Sequence, residues 1–338
     1  MSETLTLEAA RRLVTDVLVS HGASDDNAAS VAAALVRAEA DGQRGHGLSR
    51  VPSYAAQCAS GKVDGRATAV VARRRNAAVC IDAANGFAYP AIDLAIRELV
   101  AMVPQTGIAA ASIFRSHHFG QAGYHAERLA EAGFVSLVFS NSPEAIAPWG
   151  GSKAVFGTNP IAFAAPRSDA PPLLIDLSLS KVARGKVMVA QQKGEPIPEG
   201  WALDAEGNAT TDPSAALDGT MLPMGDAKGA ALVLMVEILA AGLGGANFGF
   251  EASSFFSAEG EPPGVGHLLI AFDPGFFCDG NFALRLERLL EAIEQQPGVR
   301  LPGNRRLEGR DQMQHTGLSI APELAQTLSK LKRGCSGE

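Results

Sequence analysis

The sequence predicts a mixed α/β fold, of the α+β kind, in which a central sheet domain is flanked by a helical domain drawn from both chain ends. Three observations predict it. Short β-rich runs alternate with helical segments through the middle of the chain, and the two ends carry helical periodicity without such runs. The 338 residues also exceed what one hydrophobic core usually organises. The expected boundaries are 1–75 and 281–338 for the helical domain and 76–280 for the sheet domain.

The elements follow in order. Leu5, Ala9, Leu13, Val17 and Leu18 recur at helical spacing and predict a first helix. Ser24-Asp25-Asp26 offers an N-cap before AASVAAALVRAEADG, a second helix. A third runs from about Leu48 to Ala59 and stops at Gly61. From Ala78 the strand candidates are AAVCID, GIAAASIF, FVSLVFS, PIAFAAP, PLLIDLS and HLLIAFD. Between them AYPAIDLAIRELVAMV, AGYHAERLAEAG and KGAALVLMVEILAAGL read as helices. Residues 195–226 and 251–266, rich in Gly, Pro and acidic residues, read as long loops. FALRLERLLEAIEQQ and APELAQTLSKL return the chain to helix.

Composition excludes several classes. A charged share of 19% and an apolar share of 46% suit a compact enzyme rather than a disordered chain. The net charge of −7 argues against nucleic acid as a partner, since phosphate neutralisation needs a basic face. Arg73, Arg74 and Arg75 read as a solvated turn. Cys58, Cys80, Cys278 and Cys335 are far apart, without metal-ligand spacing, and read as reduced, incidental thiols; no metal site is expected. Acidic residues stand where a signal peptide carries positive charge, and the run Ala230–Leu243 holds Glu237 and is too short to span a bilayer. The expectation is a cytoplasmic protein with no membrane partner.

Six segments can carry chemistry. In His46-Gly-Leu-Ser-Arg50, a helix beginning near Gly47 places both side chains on one face about 6 Å apart. There Arg50 suits a carboxylate and His46 a proton transfer beside it; the bland alternative is a helix-start histidine and a solvated arginine. Arg115-Ser-His117-His118-Phe119-Gly120-Gln121-Ala122 follows a strand and opens a helix, where free N–H groups bind anions. Of its two histidines at most one need be functional. Phe156-Gly-Thr158-Asn159-Pro160 presents hydrogen-bonding groups or merely closes a turn. Asp176-Leu177-Ser178 ends a strand and precedes Lys181, Arg184 and Lys186. Lys228, at the start of the longest apolar helix, opposes the helix dipole unless an anion binds. Arg300-Leu-Pro302-Gly303-Asn-Arg305-Arg306 is a basic loop suited to phosphate or to a plain exposed turn. No G-x-G-x-x-G follows a strand, so a Rossmann phosphate turn is not supported.

Together and in this order, these segments resemble the type-2 malate/L-lactate dehydrogenase family, a non-Rossmann fold, over nearly the whole chain. FGTNPIAFAAPR and SHHFG carry the resemblance most specifically. LAAGLGGANFGFE and RLPGNRR are most similar to the family's Δ1-piperideine-2-carboxylate/Δ1-pyrroline-2-carboxylate reductases. The resemblance implies NADPH or NADH bound by the sheet domain, a small carboxylate-bearing substrate and a homodimer. It implies His46 as proton donor, with His117 as rival, and Arg50 and Thr158 as substrate ligands. It implies cofactor contacts at His118, Phe119, Gly120, Gln121, Ala122, Ser142, Asp176, Leu177, Ser178, Lys228, Pro302, Gly303, Arg305 and Arg306.

Two positions depart from those reductases. Gly45 stands where they carry serine, and Lys186 where they carry an aspartate that relays charge with the histidine; Lys186 agrees with the oxo-acid branch and takes the catalytic position. The first expectation is reduction of a cyclic ketimine 2-carboxylate to proline or pipecolate. The alternative is a 2-hydroxy-acid dehydrogenase acting on malate, lactate, ureidoglycolate or a sugar acid. A binder without activity is the rival of a different class.

Overall fold

The computed structural model describes residues 3–333, so Cys335 lies outside the described residues. The chain opens as a short strand, β1 (Glu3–Leu5), where periodicity from Leu5 predicts helix. Helix α1 (Leu7–Ser20) starts later because Thr6 caps it, its hydroxyl accepting from the Ala9 N–H at 3.1 Å. Ser24 caps α2 (Asp25–Ala40) as expected, with Asp25 and Asp26 facing the positive end of the helix dipole. Helix α3 (Val51–Ser60) ends at Gly61, whose φ of +80° suits a residue without Cβ.

The sheet begins with β2 (Val70–Arg75) and β3 (Ala78–Asp82). Then come α4 (Ala88–Thr106), β4 (Ile108–Ser116), α5 (Ala122–Glu131), β5 (Val135–Ser140), β6 (Ile161–Ala165) and β7 (Leu173–Leu177). Arg73, Arg74 and Arg75 are thus not a turn but the end of an edge strand. They stay solvated, and β2 escapes a strand reading because nearly all of it is exposed and no alternation marks it. Helix α6 (Arg184–Lys193) precedes a three-stranded sheet, in the order β10 (Thr220–Met221), β8 (Ala202–Leu203), β9 (Ala209–Thr210), with α7 (Pro213–Asp218) among them. Residues 195–226, expected as loop, therefore hold structure in two-residue strands too short to show a period.

Helix α8 (Asp226–Glu237) runs into a π-helical turn, Ile238–Gly242, before β11 (Val265–Phe272). The chain closes with α9 (Pro274–Cys278), α10 (Phe282–Glu294), α11 (Asn304–Thr316), β12 (Leu318–Ile320) and α12 (Pro322–Lys332). The large sheet has the order β2-β3-β4-β11-β5-β6-β7, and only β3 and β4 run parallel. Strand β11, late in sequence, inserts between β4 and β5. Its run VGHLLIAF is almost wholly buried, as a central strand covered on both faces must be.

One core lies between this sheet and α4 with α5, through Ile81, Ile92, Leu99, Ile113, Leu129 and Leu269. A second joins the chain ends. Val14, Leu18, Leu35 and Tyr54 pack with Leu318, Ile320 and Leu328, and β1 pairs antiparallel with β12. That packing supports the proposed helical domain. Helix α10, inside its expected bounds, instead packs Leu286 and Leu290 with Ala165 of β6 and Leu301.

Candidate functional site

The site forms where α3, the turn before α5, and the loop before β11 meet. His46 and Arg50 do not lie on one α-helix as their spacing predicts. Two 3₁₀ turns, Arg44–His46 and Leu48–Arg50, are separated by Gly47, and α3 begins only at Val51. The break has a local cause. Glu39 accepts the Leu48 N–H at 2.9 Å and lies so close to Gly47 that a Cβ there would stand 3.1 Å from the Glu39 Cα.

The turn still brings the predicted groups together. The His46 and His118 rings stack with centroids 5.3 Å apart, and His46 Nδ1 lies 3.3 Å from His118 Nε2. His118 Nδ1 lies 2.5 Å from the Tyr54 hydroxyl, which meets the Tyr89 hydroxyl at 3.1 Å. Imidazole and phenol thus form one hydrogen-bonded row ending at His46. Burial, then the Arg50 charge, lowers the His46 pKa to about 4, so its imidazole is neutral at neutral pH. His118 falls well below its ordinary value, again by burial first.

Arg50 donates from Nε to the Gly45 carbonyl at 2.7 Å, and its guanidinium lies over the Phe256 ring at 4.6 Å. Its Nη1 is buried without a partner among the described residues. A buried donor left unpaired is costly, so this atom marks a place for an acceptor. His117 turns the other way. It is 1% exposed, meets Gln57 Oε1 at 2.7 Å through Nε2, and packs among Tyr54, Phe87 and Phe255.

The predicted cofactor segments fall into two groups. Phe119 stacks on His267 with ring centroids 4.9 Å apart, and Gly120, at φ +72°, sits against Tyr89. Gln121 donates to Asp41 at 2.8 Å while its Oε1 is buried and unpartnered. Ala122 begins α5. Its position predicts that the N-terminus of α5 is open to an anion, but it is filled from within the chain: Asp176 accepts the Gly123 N–H at 3.0 Å and pairs with Arg306 at 2.8 Å. Arg305 and Arg306 are helical residues of α11, not loop. Gly303 caps that helix at φ +87°, Pro302 precedes it, and Arg305 is exposed without a partner among the described residues. Leu177 is 44% exposed, and Ser178 bonds Ser180 at 2.7 Å.

Thr158 lies beside the segment 176–178, its carbonyl accepting the Leu179 N–H at 2.9 Å. Ser142 accepts the Thr158 N–H at 3.1 Å. Lys228 is exposed in the first turn of α8, without a hydrogen bond or ion pair among the described residues. Lys186 is likewise exposed in the first turn of α6, and the structure does not bring it to His46. Sequence reasoning missed Tyr54, Gln57, Lys62 and the Phe255-Phe256 pair. Tyr54 stands one turn beyond Arg50, a signal that could have found it. The phenylalanine pair sits in a stretch that composition marks only as loop. Among the described residues no group of His, Cys, Asp and Glu could hold a metal ion.

Comparison with known proteins gives the family of the chain. The family model described as malate/L-lactate dehydrogenase matches residues 5–329. A (2R)-3-sulfolactate dehydrogenase (NADP(+)) of Chromohalobacter salexigens is 54% identical over 90% of this chain and 91% of its own. A Δ1-pyrroline-2-carboxylate/Δ1-piperideine-2-carboxylate reductase of Pseudomonas putida is 40% identical over 94% of each chain. The crystal structure of Δ1-piperideine-2-carboxylate reductase from Pseudomonas syringae is similar, with a TM-score of 0.92 and 39% identity, covering 97% of this chain and 99% of that one.

Proposed function

The chain belongs to the malate/L-lactate dehydrogenase family and is an NAD(P)-dependent oxidoreductase; from that premise we propose that it interconverts a small 2-hydroxy acid and its 2-oxo acid, with 3-sulfolactate the first substrate to test. The observation that carries this is the unpartnered Nη1 of Arg50 beside the neutral imidazole of His46. Those two groups serve either substrate, and the order of the two expectations is reversed on other grounds. The 54% identity to a sulfolactate dehydrogenase exceeds the 40% to a ketimine reductase, and Gly45 and Lys186 depart from the ketimine pattern.

Arg50 holds the carboxylate of the acid, which sets carbon 2 and its hydroxyl beside His46. His46 takes the hydroxyl proton during oxidation and returns it to the carbonyl oxygen during reduction. The row through His118 to Tyr54 holds the His46 ring in orientation. His117, the rival acid/base, is supported less, because Gln57 occupies its Nε2. When bound, the nicotinamide takes up or supplies the hydride at carbon 2.

The residues present fit such a dinucleotide. Gln121 Oε1 is a buried acceptor awaiting a donor, which a carboxamide offers. Asp176 and Ser178 suit hydroxyls, and Arg305, Arg306 and Lys228 suit phosphates; the segment His118–Ala122, Ser142, Leu177, Pro302 and Gly303 complete the proposed cofactor contacts. The two arginines are compatible with NADPH or NADH. The homodimer is a proposal supported by the apolar face that α8 and its π turn leave exposed, Leu234, Met235, Ile238 and Leu243. Light scattering tests it directly: a single-chain mass would reject it.

The ketimine reductase is the second reading, favoured by the 40% relative and by the crystal structure. Turnover of 3-sulfolactate, malate and lactate with NADP+ and NAD+, beside Δ1-pyrroline-2-carboxylate with NADPH, separates the two. We expect the hydroxy acids, 3-sulfolactate first, to be turned over. A preference for the cyclic imine restores the other order.

A further inference from the structure

The loop from Ser254 to Glu259 is tied to the helical side of the site by its carbonyls. Lys62 Nζ donates to the carbonyls of Ser254 at 2.8 Å, Ser257 at 3.0 Å and Glu259 at 2.8 Å. Gln57 Nε2 donates to those of Phe255 at 2.8 Å and Ser257 at 3.0 Å. Ser60 Oγ donates to that of Ala258 at 2.8 Å. Every carbonyl from 254 to 259 except that of Phe256 is received in this way. Phe256 is thus the apex, 56% exposed, its N–H donating to Ser254 Oγ at 3.1 Å and its ring against the Arg50 guanidinium.

Lys62 is the unusual member. It is 3% exposed and forms no ion pair among the described residues. An ammonium taken out of water without an anion costs several kcal/mol unless its donors are all satisfied. Here all three N–H groups are spent on one loop, and that loop carries the two rings facing the site. Phe255, next to the apex, lies 5.1 Å from the His118 ring and 5.3 Å from that of His117.

We propose that Lys62 is a positioning residue, an internal cation that staples the Ser254–Glu259 loop so that Phe256 holds Arg50 in the pose that receives the substrate carboxylate. This rests on the reading of Arg50 given above. The ring covers one face of the guanidinium, and the Gly45 carbonyl fixes Nε. What remains is the Nη edge, directed to the acid. Without the staple the apex is free to leave, and the guanidinium regains rotamers in which Nη1 does not meet the acid.

Three variants test it: Lys62→Met, Phe256→Ala and the pair combined. Chymotrypsin cleavage after Phe256 reads the staple without any turnover, and we expect Lys62→Met to speed it at least tenfold while cleavage elsewhere is unchanged. With the acid that the wild type turns over, we expect KM to rise about tenfold in each single variant and kcat to change less than threefold. The double variant should match the worse single one, because both act through one contact. Unchanged cleavage, KM unchanged with a loosened loop, or additive effects in the double variant would each overturn the proposal. Failure of the Arg50 reading is distinguishable, since Arg50→Lys would then leave KM unmoved whatever the loop does.

Discussion

A guanidinium with one buried hydrogen-bond donor unspent and a neutral imidazole beside it set what this site can do at the scale of single residues. Replacing Arg50 by Ala removes the carboxylate's partner, and we expect KM to rise about 100-fold with kcat far less affected, read by steady-state kinetics. Protonation follows from the lowered His46 value. A pKa of about 4 in the free enzyme means the base form is present throughout pH 5–8. Oxidation kcat/KM should therefore be flat there and fall only as the imidazole is protonated near pH 4. Reduction kcat/KM, which needs the proton on, should fall as pH rises through that range. A bell centred on pH 7 would contradict the neutral imidazole.

Elements carry the cofactor proposals. The α5 N-terminus, Asp176 on β7 and Arg306 on α11 meet around Gly123, where an added Cβ would stand 2.6 Å from Arg306 Nη1 and 2.8 Å from Asp176 Oδ2. Gly123→Ala must displace the Arg306 guanidinium and the Asp176 carboxylate from the α5 N-terminus, and we expect the dissociation constant for the nicotinamide cofactor to rise at least tenfold in a fluorescence titration. A second junction is Glu237, 3% exposed, which accepts from Asn141, Asn159 and the Gly249 N–H. Glutamine there turns one acceptor into a donor facing donors. Glu237→Gln should cost about 2–4 kcal/mol, measured by urea unfolding.

At this scale the sequence is legible where a period repeats. α1, α2, α4 and the buried strands follow from spacing and caps, and His46 and Arg50 stay neighbours although on two 3₁₀ turns; no motif placed His118 beside them. The rest was hidden for physical reasons. The His46–Arg50 hinge depends on Glu39 packing on Gly47, a contact between segments. Asp176 filling the α5 N-terminus depends on β7 reaching the sheet edge beside it. The Lys62 staple joins residues 192–197 positions apart, and no local pattern announces it.

The whole molecule stores a set of buried neutral histidines. His117 and His267 are lowered to about 3 and His125 to about 4, each by burial first, and His118 lies well below its ordinary value. The unfolded chain takes up these protons near pH 6.5 and the folded one does not, so stability is full above that pH and is lost as pH falls toward 3–4. With His46, also lowered to about 4, five such groups steepen the loss to about 7 kcal/mol per pH unit at most. The urea midpoint should hold above pH 7 and drop sharply between pH 6 and 4.5; a flat midpoint over that span would show that the histidines are accessible to protons in the native fold.

The central claim is that His46 moves the proton at carbon 2. Its most direct test is the kcat of His46→Ala across pH 5–9, with the acid that the wild type turns over and saturating cofactor. The account predicts a loss of about 100- to 10,000-fold at every pH, with KM nearly unchanged. Wild-type kcat in that variant would contradict it.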